Sequence, residues 1–122
     1  MKVKLLSEFF GTMFLLMIVV GSGIMGENLA NGNEAIILLV NSLATGLGLF
    51  VLIQSLGTLS GAHFNPVVSF VEMLWGRLSK RKMFQYWAAQ FAGAVLGVLI
   101  THLMFNQELL QVSIKNRNEI AL

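Results

Sequence analysis

Three long apolar runs, separated by short polar breaks, set the pattern of this chain. The first, Leu5 to Ile24, carries Ser7, Glu8, Gly11 and Thr12 near its start and Gly21 and Gly23 near its end. The second extends from Ala35 to about Leu56 and the third from Met83 to Phe105. A bilayer core of roughly 30 Å is crossed by about 20 helical residues rising about 1.5 Å each, so every run is long enough to span it. The pattern predicts transmembrane helices over about 5–25, 35–57 and 83–105. Lys2 and Lys4 resemble the basic start of a signal peptide, but Glu8 breaks the apolar segment, no convincing small-x-small cleavage site follows and further spans come later. The first run reads as a retained helix.

Between the second and third runs the pattern changes. Gly57 to Phe64 holds too many Gly, Ser and Thr residues for a comfortable helix, whereas Pro66 to about Gly76 is apolar again. Asn is a strong N-cap, and Pro suits the first helical turn, where its missing N–H had no partner to lose; Asn65-Pro66 reads as a helix start. A helix of about 11 residues is about 16 Å long, half the core thickness. A re-entrant loop and half-helix is predicted over about 58–76, returning to the side it came from. Non-helical backbone at that depth is tolerated only where protein buries it or a water-filled cavity meets it. The insert Ser60-Gly61-Ala62-His63-Phe64-Asn65-Pro66-Val67 should therefore line a path through the bilayer. Along it Asn65 offers an amide donor, and the extended backbone of Gly61, Ala62 and His63 offers carbonyl acceptors. Such groups pass small neutral polar molecules, and a positive helix end resists cations.

Composition supports the membrane assignment. Of 122 residues, 56% are hydrophobic and 11% charged, with a mean hydropathy of +0.75, which leaves no separate soluble domain. The net charge of +2 is too small to suggest a nucleic-acid partner, and the absence of cysteine excludes disulfides and thiolate metal sites. No cofactor or metal is called for. The placement of the charges says more: Lys2 and Lys4 precede the first span, Arg77, Lys80, Arg81 and Lys82 follow the half-helix, and the first link carries only Glu27 and Glu34. If the half-helix does not cross, both basic groups share one face. The positive-inside rule makes that face cytoplasmic, giving a protein integral to the plasma (inner) membrane with its amino terminus inside.

The same residues resemble the first Asn-Pro-Ala signature of the aquaporin and aquaglyceroporin (major intrinsic protein) family. The likeness extends to Ser7-Glu8-Phe9-Phe10-Gly11-Thr12, Ala44-Thr45-Gly46, and Gln90 with the Gly93 to Gly97 stretch, covering about Lys4 to Phe105. The resemblance implies an all-α integral membrane fold: three transmembrane helices plus one re-entrant half-helix, one half of the aquaporin-type inverted repeat. By the same token Asn65 is one of two pore asparagines, held by Pro66; Gly61, Ala62 and His63 supply pore-facing carbonyls; and Glu8 braces the loop. Thr45 falls where many water-selective members carry an aromatic residue in the constriction, so a threonine implies a wider filter suited to glycerol-sized solutes or neutral metalloid acids. Val67 replaces the signature alanine, and the second signature with its filter arginine and histidine is missing. The expected partners are lipid, a small neutral solute and a complementary second half, with a homotetramer implied by full-length members.

Several residues also have plainer readings. Glu8 could be a solvated carboxylate near a span end, Glu72 could pair with Arg77, and His63 is read chiefly as a structural hydrogen bonder. His102, Trp75, Tyr86 and Trp87 read as interfacial, and Ala89, Gly93 and Gly97 as a helix-packing stripe. Glu8, Glu72, His63 and His102 are too scattered for an enzyme site. A small proton-coupled exporter acting as an antiparallel dimer fits the length but needs a full fourth span and balanced loop charge. A third reading is a truncated product that conducts nothing alone, with 106–122 as a polar connector toward a missing half.

Overall fold

A computed structural model describes residues 1–108, so most of the expected connector, 109–122, lies outside the described residues. Every element among them is helical: α1 (Lys2–Leu29), α2 (Glu34–Ser60), α3 (Pro66–Leu74) and α4 (Lys80–Met104). The three long helices are apolar and long enough to cross a membrane. α3 has nine residues, about 14 Å of helix against a core of roughly 30 Å.

The long helices outrun the expected spans. α1 absorbs Gly26 to Leu29, because nothing there stops a helix. The chain turns instead at Asn31 and Gly32, which adopt φ of 50° and 81°. Asn33 then caps α2, its side chain accepting from the Ile36 N–H at 3.2 Å. The expectation that Gly57 onward leaves the helix is corrected: α2 continues through Ser60 and ends at Gly61, whose φ of 90° lets its N–H turn back to the Gly57 carbonyl. α3 stops at Leu74, not Gly76, and α4 starts at Lys80, three residues early, because the Ser79 hydroxyl caps it by accepting from the Lys82 N–H.

α1 packs against both α2 and α4, and α3 packs against α4. α1 and α4 run parallel, with Gly93 against Phe9 and Gly97 against Met13 and Leu16. α1 and α2 run antiparallel: Gly26 meets Ile37, Gly48 meets Ile18, and Ser7 reaches Ser60. The amino ends of α1 and α4 therefore share one end of the bundle, which gathers Lys2 and Lys4 with Lys80, Arg81 and Lys82. Glu27 and Glu34 lie at the other. Burial is inverted relative to a water-soluble bundle: Ser7, Glu8, Thr12, Ser60, Ser69, Gln90 and Thr101 are buried, while most large apolar side chains face outward. That is the distribution lipid selects, since outward apolar groups lose nothing there and buried polar groups find partners.

The glycine stripe tests the α1–α4 contact. A Cβ on Gly93 would run into the Phe9 carbonyl, and one on Gly97 into that of Met13. Alanine in a helix gains about 1 kcal/mol over glycine, whereas overpacking against rigid backbone costs about 1–3 kcal/mol or more. Gly93→Ala is expected to lower the melting temperature in detergent; a rise would mean the helices are not in backbone contact.

Candidate functional site: a re-entrant loop around Asn65

The loop is built on one buried carboxyl group. Glu8 is 0% exposed, and its oxygens accept four hydrogen bonds. Oε2 accepts from the Ser60 hydroxyl at 2.6 Å and the His63 N–H at 3.2 Å. Oε1 accepts from the Phe64 N–H at 2.9 Å and Gln90 Nε2 at 2.8 Å. The Ser60 hydroxyl also accepts from the Ala62 N–H at 3.1 Å and from Ser7 Oγ at 3.2 Å. Three separate helices thus converge on one loop. An unpaired carboxyl group would be costly at this depth; with four donors it becomes a fixed anchor.

The consequence is an asymmetric ribbon. The N–H groups of Gly61, Ala62, His63 and Phe64 are all bonded within the protein. Among the described residues no donor reaches the carbonyls of Gly61, Ala62 or His63. Ala62 and Phe64 both hold φ of 52°, a left-handed conformation that costs a non-glycine residue of order 1–3 kcal/mol. The geometry persists because Glu8 and Ser60 fix the amides and because the buried Phe64 ring lies where a Cβ on Gly11 would be.

α3 begins where the ribbon ends. The Asn65 side-chain oxygen caps it, accepting from the Val67 N–H at 2.8 Å, with Pro66 in the first turn. That leaves the Asn65 amide nitrogen as donor, and Asn65, Pro66 and Val67 are all exposed, Val67 by 66%. Ser69, fully buried, accepts from Gln90 Nε2 at 3.0 Å and lies 2.8 Å from His63 Nδ1. Trp87 Nε1 donates to the Pro66 carbonyl at 2.9 Å, and Tyr86, 2% exposed, donates to the Ser60 carbonyl at 2.8 Å. Tyr86 is therefore a buried strut inside the bundle, correcting its reading as an interfacial anchor. Glu72 pairs with Arg77 at 3.1 Å.

The structure brings Gly61, Ala62, His63, Asn65, Pro66 and Val67 together with Glu8. Thr45 stands apart, fifteen positions before Ser60 on α2 and so roughly 22 Å along that helix. It is half-buried, and its hydroxyl has no hydrogen-bond partner among the described residues. Sequence alone does not point to Ser69, Tyr86 or Trp87 as part of the site; Ser60 enters only as the first residue of the insert, and Gln90 only through the resemblance. The available signal was polarity itself: Ser69 and Gln90 sit in apolar segments, where a polar side chain needs a partner.

A buried carboxyl group bracing a re-entrant loop, followed by a capped half-helix among three spans, defines a polytopic membrane protein organised around a re-entrant segment. The sequence profile of the major intrinsic protein family matches residues 1–121, and the chain belongs to that family. It is 47% identical over 114 residues to aquaglyceroporin AqpS of Rhizobium meliloti (strain 1021), covering 93% of this chain and 48% of that protein. Aquaporin Z of Brucella melitensis is 37% identical over 101 residues, covering 83% and 43%. The human lens fiber major intrinsic protein is 37% identical over 96 residues, covering 79% and 35%. The chain spans about half the length, or less, of these curated relatives.

Proposed function

We propose that this chain forms one wall of a passive channel for small neutral solutes, completed by a second set of helices of the same kind, on this or another chain. The observation that carries this reading is the ribbon at Gly61 to His63, whose N–H groups are spent on the protein while its carbonyls have no internal partner among the described residues. In a membrane such carbonyls need water or a passing solute. Next to them the Asn65 amide supplies donors, and the start of α3 carries about half a positive charge, which admits neutral molecules and repels cations. The exposed surface around Asn65 and Val67 is the natural place for the complementary half. Repeat-built transport folds form their sites at such interfaces. Basic residues gathered at one end of the bundle favour a plasma-membrane orientation with the amino terminus in the cytoplasm. A homotetramer of completed pores is the assembly we favour.

Thr45 supports a solute larger than water. A short side chain in a constriction leaves room that an aromatic ring would fill. The likeness to a relative named as an aquaglyceroporin agrees with this. A proton-coupled exporter would need a fourth crossing, for which the nine residues of α3 are too few.

Glycerol uptake into proteoliposomes, followed by stopped-flow light scattering, tests the proposal. The chain alone is expected to match empty lipid, and the chain co-reconstituted with the carboxy-terminal half of aquaglyceroporin AqpS to exceed it. Large uptake by the chain alone would refute the need for a second half. No uptake in either preparation would count against the channel itself.

A further inference from the structure

The end of the bundle where α3 returns and α4 begins carries a second feature, unrelated to the pore. Arg77, Lys80, Arg81 and Lys82 are all exposed. The nearby carboxylate, Glu72, is taken by Arg77 at 3.1 Å. Among the described residues, no carboxylate pairs with Lys80, Arg81 or Lys82. These three occupy the first turn of α4, which holds no acidic residue. A helix start is already positive, so three cations there repel both it and one another. Such an arrangement is stable beside an external anion.

The surroundings say which anion. The cluster opens a membrane-spanning helix, which puts it at headgroup depth. Trp75 and Phe84 next to it are 65% and 59% exposed, and the Arg77 guanidinium carbon lies 4.9 Å from the Trp75 ring centroid. Stacking holds that cation against an aromatic ring of the kind that settles at the membrane interface. A free phosphate would use the charges and ignore the rings. A phospholipid uses both.

We propose that Arg77, Lys80, Arg81 and Lys82 bind the phosphate of an anionic phospholipid in the adjacent leaflet, with its acyl chains against Trp75 and Phe84. Charge and apolar surface act together, so the site selects by headgroup charge but requires a lipid.

Native mass spectrometry of the purified chain in detergent tests this, with phosphatidylglycerol and phosphatidylcholine of matched acyl chains as probes. The wild-type chain is expected to retain phosphatidylglycerol roughly tenfold or more over phosphatidylcholine, since each basic residue near a membrane surface contributes to anionic-lipid affinity. Replacing Lys80, Arg81 and Lys82 with Gln should bring the two lipids to near parity, and Trp75→Ala should weaken retention of both. Lys2→Gln with Lys4→Gln serves as the control and should leave the preference in place. Equal retention of the two lipids by the wild-type chain would overturn the proposal, whatever the variants do. So would an equal loss in the control, which would mean only diffuse charge. Displacement of phosphatidylglycerol by equimolar inorganic phosphate would assign the cluster to a free anion and refute a lipid site.

Discussion

Glu8→Ala is expected to unravel the re-entrant loop. The substitution leaves the Ser60 hydroxyl, the His63 and Phe64 N–H groups and the Gln90 amide without their acceptor at once. A buried donor left unsatisfied costs about 1–3 kcal/mol, so four of them, after partial relaxation, should lower stability by about 4 kcal/mol or more. The loss falls on a segment that already stores strain at Ala62 and Phe64, whose φ of 52° nothing local favours. Hydrogen exchange should show it first, as lost protection of the His63 and Phe64 amides, and thermal unfolding in detergent should follow. Glu8→Gln keeps the volume and one acceptor oxygen but turns an NH2 toward groups that are themselves donors, so it should recover only part of the stability. Unchanged amide protection in Glu8→Ala would mean that the loop is held by something other than this carboxyl group.

Why part of this site could be read in the sequence and part could not follows from the range of the interactions. The start of α3 was legible because capping is local: Asn65 bonds the N–H of Val67 two residues away, and Pro66 needs no partner at all. The three spans were legible because crossing a bilayer requires only length and apolarity. The helix ends were less so. Gly57, Thr58 and Ser60 have weak helical preference, yet α2 keeps them, because the Ser60 carbonyl is met by Tyr86 and its hydroxyl by Glu8 and Ser7. Those partners lie 26, 52 and 53 positions away. The Gln90–Glu8 bond joins residues 82 apart, and no periodicity reports a contact of that range. The Phe64–Gly11 contact was hidden for another reason: a glycine in a span can serve helix packing, a turn or a neighbouring ring, and only the loop's path decides between them.

Asn65→Asp is expected to leave the fold intact while changing what the proposed channel passes. The cap survives, since an aspartate oxygen accepts from the Val67 N–H as well as asparagine does, and a negative charge at a helix start is favourable. Melting in detergent should shift by no more than about 0.5 kcal/mol equivalent, as for an exposed substitution that keeps its local bonds. What disappears is the Nδ2 donor, the one function of this side chain that the protein does not itself consume. In the completed channel a neutral solute would lose a hydrogen bond of about 1 kcal/mol at its tightest passage, so glycerol flux should fall by about fivefold. At the same time a full negative charge would outweigh the half positive charge of the α3 start. If the path excludes cations as proposed, they should then leak, measurable as sodium conductance across a planar bilayer. The pairing of the two effects carries the argument: lower flux alone could come from a displaced loop, but a cation leak from a protein that melts normally requires position 65 to face the path. Unchanged glycerol flux without any leak would place Asn65 off the path and leave it only as the cap of α3.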